Sequence, residues 1–350
     1  MNRRQFLALG AAGVSGLTAG CGGLLQQQST GRVPPVVENR PDAVYVPSHV
    51  EGMEMIGMQS AGDRMVALTY SFPHRFWTVE GFGFEDPTQR VELQDDDSVH
   101  LMASVFDPET GTVLPTDADL RMHVTRDGET VDDKRPWPML SQNMGFHFGE
   151  NIGLDGDGTY TVEVEVGAVG AELLGDLAGK FGETASASFE FEFSQESLDG
   201  ISYERLSDRQ GERGAADRMD GMEMPLSTVP EVGSLPGNPT EAGLGDVTMV
   251  AFVQETDDGR DLVVSPRTPY NRFGIPFMAL SAEADGESVG ADSELTAAIH
   301  PDLGYHYRGA LPEGVSGEAV VVEIVTPSTV SRHEGYETAF LETGTVSMTL

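Results

Sequence analysis

An internal repeat constrains this chain more than any other feature. Met65-Val-Ala-Leu68 returns as Met249-Val-Ala-Phe252, and Asp127-Gly-Glu129 returns as Asp285-Gly-Glu287. Gly145-Phe-His-Phe148 returns as Gly304-Tyr-His-Tyr307. Glu129 precedes His147 by 18 residues, and Glu287 precedes His306 by 19. In each copy a segment of alternating apolar and polar residues follows, 159–166 and then 319–325. Period-two alternation puts one face of a strand in a core and the other in water. Motifs repeated in one order at near-equal spacing indicate two copies of one structural unit.

Turn signals divide the first copy into short strands at 65–72, 98–106, 120–126, 159–166 and 185–193, with 169–181 as the one short helical candidate. Many short strands at this spacing predict an all-β chain of two tandem immunoglobulin-like β-sandwich domains. The expected organisation is a signal over 1–21, a flexible tether over 22–48, a first sandwich over 49–195, a polar linker over 196–245 and a repeat-related sandwich over 246–350.

Lys+Arg number 21 against 57 Asp+Glu, a formal charge of −36. A field of that sign excludes nucleic acid as a partner. The acid is spread along the whole length, and lysine occurs only at Lys134 and Lys180. That habit resembles the proteins of salt-loving archaea. Asn2-Arg-Arg-Gln-Phe-Leu7 resembles the twin-arginine export motif, and the apolar run after it is too short for a membrane span. Leu17-Thr-Ala-Gly-Cys21 resembles a lipobox, and Cys21 is the only cysteine, so no intramolecular disulfide forms. These likenesses imply a lipid-anchored protein on the extracytoplasmic face of the cell membrane.

The stretch 135–151 gathers Met139, Met144 and His147, with Pro136, Pro138 and Gly145 breaking regular structure, and reads as a bent loop between strands. His100 and Met102 lie two apart on a predicted strand and so share a face. Thioether and imidazole donors together suit copper or a late ferrous-type metal better than magnesium or calcium. The blander alternative is a half-buried strand histidine with methionines filling core gaps. Gly52-Met-Glu-Met55 supplies the weaker candidates Met53, Glu54 and Met55, and Gly221-Met-Glu-Met224 reads as core. The second copy offers His300, Asp302 and His306, but has Ala298 at the Met139 position and no histidine in Asp261-Leu-Val-Val264. His74 and His123 read as surface or packing residues.

The order Asp97-Ser-Val-His-Leu-Met-Ala-Ser-Val105, Trp137-Pro-Met139, Gly145-Phe-His-Phe-Gly-Glu-Asn-Ile152 and then a strand after Gly-x-Gly resembles the periplasmic high-affinity iron-transport protein family over residues 50–195. The resemblance implies an immunoglobulin-like sandwich, typically dimeric, that binds copper and is linked to iron uptake. It implies His100, Met139 and His147 as metal ligands. Met102 stands where the family has a glutamate, and the loop around Asn143 and Met144 is one residue longer and lacks the family's aspartate. Copper or iron ions and an iron permease are the implied partners. A homodimer and a pairing of the two repeats within one chain both stay open.

No Gly-x-Ser-x-Gly elbow or phosphate-cradling glycine loop appears, so no enzyme is expected. The competing function is a structural or adhesive surface module without metal. Convergence of His100, Met102, Met139 and His147 discriminates the two, because one ion cannot bridge donors more than about 7 Å apart with bonds of ~2.0–2.3 Å.

Overall fold

The computed structural model describes residues 35–81, 87–116, 120–219, 221–257 and 259–350. The twin-arginine motif, Cys21 and residues 22–34 of the expected tether lie outside the described residues. Nearly all regular structure is β, arranged as sandwiches of two facing sheets.

In the first half, Glu54–Ala61, Arg64–Ser71, Asp97–Phe106, Gly145–Gly153 and Trp137–Ser141 lie side by side in that order. They face a four-stranded sheet of Ala185–Phe193, Gly158–Val166, Arg121–Arg126 and Glu129–Lys134. The second half runs identically. Thr240–Leu244, Val247–Thr256, Gly259–Arg267, Gly304–Ala310 and Thr296–His300 oppose Gly344–Thr349, Ala319–Thr326, Ala279–Ala284 and Glu287–Ser288.

The alternation in the sequence sets which faces meet. Tyr160, Val162 and Val164 point inward with Phe189 and Phe191 from the neighbouring strand, while Glu163, Glu165, Glu190 and Glu192 point to water. Burying each such phenylalanine contributes about 1.5–3 kcal/mol. The equivalent hairpins turn on Asp127-Gly128 and Asp285-Gly286, where all four residues have positive φ (52° and 83°, 52° and 85°). A two-residue type I′ turn requires that conformation, and Asp-Gly supplies it at little cost.

The two halves exchange short strands. Ser331–Arg332, from the second half, pairs in parallel with Trp137–Ser141 and antiparallel with Phe76–Val79. Glu172–Leu173, from the first half, pairs in parallel with Thr296–His300. Both inserts lie between the two long strands of their own outer sheet, so the exchange is reciprocal. Residues 33–350 accordingly form one compact unit.

Several expectations need correction. The stretch 135–151 is a hairpin of two strands, Trp137–Ser141 and Gly145–Gly153, and not a bent loop. Pro138 is accommodated within the first of them, and Gly145 carries the turn with φ 73°. Residues 169–181 form a two-residue strand and a 3₁₀ turn, because pairing with the second half outweighs local helix propensity. The one α-helix among the described residues is Gln195–Gly200, capped by the Ser194 side chain accepting from the Ser197 amide. Ala43, Val44, Tyr45 and Val46 are buried, so the C-terminal end of the 22–48 segment belongs to the fold. The 196–245 segment also packs. Tyr203–Arg205 pairs with His49–Glu51, Ala216 and Met224 are buried, and the second half begins with Thr240–Leu244. Apolar residues scattered in these polar stretches are what tie them down.

Candidate metal centre

Strand Asp97–Phe106 is buried on both faces. Leu101, Ala103 and Val105 enter the sandwich core, which places His100 and Met102 on the opposite face. Register carries this face across the sheet. His100 lies opposite Asn151, Met102 opposite Gly149, and His147 opposite Met139. His100, His147 and Met139 are fully buried, and Met102 is nearly so.

Two further histidines join them. His74 follows strand Arg64–Ser71, whose last residue pairs with His100. His333 follows the exchanged strand Ser331–Arg332. One ligand atom from each of His74, His100 and His333 lies within 4.8 Å of the other two. The His147 Nε2 stands 3.2 Å from the His333 Nε2. No other group of three such donors comes together among the described residues.

Three of the four rings are held from the Nδ1 side. His100 Nδ1 donates to Asn151 Oδ1 at 2.9 Å, His74 Nδ1 to the Phe72 carbonyl at 3.1 Å, and His147 Nδ1 to the Gly145 carbonyl at 3.1 Å. That leaves the Nε2 lone pairs facing inward. His74 Nε2 and His100 Nε2 are buried and have no hydrogen-bond partner. An unsatisfied buried polar atom costs about 1–3 kcal/mol, and an outer acceptor fixing the tautomer of a ligating histidine is the arrangement found around bound metals. Asn151 does two tasks, since its Nδ2 also donates to the His74 carbonyl at 2.9 Å.

Burial drives the pKa of His100 and His333 well below the usual imidazole value, with the neighbouring histidines adding to it. Burial holds His147 at about 4. These rings are therefore neutral at physiological pH, the form that binds a metal. Burial would raise the Glu51 pKa, but hydrogen bonds from His49 and His74 outweigh it and hold the carboxylate at about 2.

Gly149 is part of the cradle. A Cβ there would stand 2.5 Å from His100 Nε2 and 3.1 Å from Met139 Sδ. The two donors thus flank one point and lie less than twice that larger distance apart. His74, His333, Met102 and Met144 border a small cavity of about 90 Å³, which also reaches Met53 and Glu51. The donors present, neutral imidazoles and a thioether around orphaned nitrogens, fit a soft or borderline transition-metal ion.

His333 is carried by an anchored segment. Arg332 is fully buried, with no carboxylate partner among the described residues. It donates to the carbonyls of Ala339 (3.1 Å), Ser328 (2.9 Å) and Val330. Burial lowers its pKa to about 9, so it keeps its charge at neutral pH and ties residues 328–340 into one shape.

The second half has lost this centre. By matching register, Asp261 replaces His100, Val263 replaces Met102, Ala298 replaces Met139, Arg308 replaces Gly149 and Leu174 replaces His333. Arg308 Nε donates to Asp261 at 2.6 Å, and its Nη1 meets Glu172 at 3.0 Å. A built-in guanidinium thus fills the place equivalent to the cradle. His306 retains its Nδ1 bond to the Gly304 carbonyl, and His300 Nδ1 accepts from the Asp302 amide, but no third donor joins them. His300 and His306 do not belong to a group of three such donors among the described residues. Glu54 is exposed, and Met55 and Met222 pack against the core. His123 sits near Asp133 on the outer sheet, as expected of a surface residue. His74 was expected among them and instead joins the cluster. No local pattern marks His74 or His333, since one depends on strand register and the other on the exchanged strand.

A family model described as a domain of unknown function (DUF7350) matches residues 233–349. No curated protein matches the chain. Among solved structures, a copper-bound variant of FetP from uropathogenic Escherichia coli strain F11 is similar at 18% identity and a TM-score of 0.30, covering 40% of this chain and 97% of that one. FetP as isolated from the same strain is similar at 18% identity and a TM-score of 0.29, covering 42% and 96%. No helix among the described residues is long and apolar enough to cross a membrane.

Proposed function

We propose that this chain is an extracytoplasmic metal-binding protein that captures copper or iron ions through histidine and methionine side chains and passes them to a membrane transporter. The observation that carries the reading is the convergence of His74, His100 and His333 with two buried, unpartnered Nε2 atoms, beside His147 and Met139. Neutral imidazoles and a thioether hold a late transition metal without a thiolate, which favours exchange over permanent storage. The sequence resemblance over residues 50–195 points to the same chemistry. The lipobox at Cys21 and the twin-arginine motif support export and anchoring. In this reading the ion is cargo, the protein is not an enzyme, and the second half takes the place of a second subunit.

The test is metal binding by residues 33–350, which form a compact unit. Cupric or ferrous ion is titrated in molar salt, where loose binding to the acidic surface is screened. Elemental analysis is expected to count one ion per chain in the native sequence and none in a His100→Ala/His147→Ala variant. Equal retention by both would assign the ions to the carboxylate surface and favour a structural or adhesive module.

A further inference from the structure

Beyond the ligands, a buried carboxylate stands behind the centre. Glu51 and Glu334 border the same cavity as His74 and His333. Glu51 Oε2 is 3.5 Å from His74 Nδ1 and accepts from the Ser71 hydroxyl at 3.3 Å, while Oε1 is 3.0 Å from His49 Nε2. His49 in turn has its Nδ1 2.8 Å from the Ser48 hydroxyl and 3.7 Å from Glu334, and its ring stacks on Tyr203 at 5.0 Å. Five of the chain's eight histidines therefore meet in one network, four around the centre and His49 outside it.

The position of Glu51 is specific. It approaches the Nδ1 edge of His74, while the Nε2 of that ring is the buried orphan aimed inward. A carboxylate on the outer nitrogen of an imidazole orients the ring, raises the basicity of the inner nitrogen and offsets the charge of an ion bound there. His100 and His147 have only neutral acceptors on their outer edges, Asn151 Oδ1 and the Gly145 carbonyl. His74 is thus the ring through which negative charge reaches an otherwise neutral donor set.

We infer that Glu51 is a positioning residue that tunes the metal centre through His74, an inference that rests on the metal-binding reading above. The variant Glu51→Gln keeps the size and one acceptor oxygen, removes the charge and turns the other oxygen into a donor. In the full chain, cupric ion is titrated against a competing chelator, with the visible d–d band and the metal-free thermal midpoint recorded in parallel. The expected result is affinity about 10–100-fold weaker, one ion still bound, a shifted d–d band and an unchanged metal-free midpoint. Unchanged affinity and band in Glu51→Gln would overturn the inference and leave the metal-binding reading standing. Weaker binding with an unshifted band and a lowered metal-free midpoint would assign Glu51 to packing and overturn it too. A native chain that binds no cupric ion would overturn both.

Discussion

Replacing Gly149 with alanine is expected to weaken metal capture severely and leave the fold intact. Gly149 lies mid-strand opposite Met102, and its backbone is in ordinary extended geometry, so alanine brings no conformational strain. The obstacle is steric. The new methyl would stand 2.5 Å from His100 Nε2, and Asn151 holds that ring so that it cannot swing aside. The same methyl would press on Met139 Sδ at 3.1 Å. Overpacking a buried site costs about 1–3 kcal/mol, which a sandwich of this size absorbs. Affinity should fall about 100-fold or more, at or beyond the upper end of what loss of an outer-shell partner costs. Elemental analysis beside a thermal melt checks both halves of the expectation. Full metal occupancy in Gly149→Ala would show that the ion does not sit between His100 and Met139.

The second large effect is expected at His333, which belongs to the repeat that has lost its own centre. His333→Ala removes one of the three converging rings and one partner of His147 Nε2. Arg332, which fixes the local backbone, stays in place. Metal affinity is expected to fall about 100-fold or more, while the metal-free fold survives a loss of about 0.5–3 kcal/mol, since the ring packs against His74, His100 and His147. His306→Ala is the internal control, because it occupies the place of His147 in the other repeat. Its metal content should be unchanged. A loss of metal in His306→Ala, or none in His333→Ala, would reverse the assignment of the two halves.

Much of the architecture is legible in local patterns. Thr159 to Val166 alternates so strictly that its buried face is evident, and Asp127-Gly128 and Asp285-Gly286 announce their turns. The repeat predicts that both halves share one strand order, and the sheets run that way. What local patterns miss is set by contacts distant in sequence. Ala43 to Val46 read as tether because Pro34, Pro35 and Pro41 dominate the composition, yet Tyr45 packs against the 333–337 turn and bonds to Glu337. Residues 169–181 read as helix because their pairing partner lies in the other repeat.

The site divides in the same way. His100, Met139 and His147 were visible from donor types and spacing, because a two-residue period and a hairpin bring them to one face. His74 depends on where a strand ends relative to its neighbour, and His333 lies 186 residues from the ring it meets. The need for glycine at 149 follows only from the side chains that crowd it. Met102 shares the face and the cavity, and Met144 borders the same space from the hairpin turn.

The most direct measurement is the position of a bound ion, located by anomalous scattering at the copper or iron absorption edge in crystals soaked with that metal. One strong peak is expected among the ring nitrogens of His74, His100 and His333, on the side of Gly149 nearest Met139, and no peak beside Arg308 in the second half. A peak confined to surface carboxylates, with the histidine cluster empty, would contradict this placement of the ion.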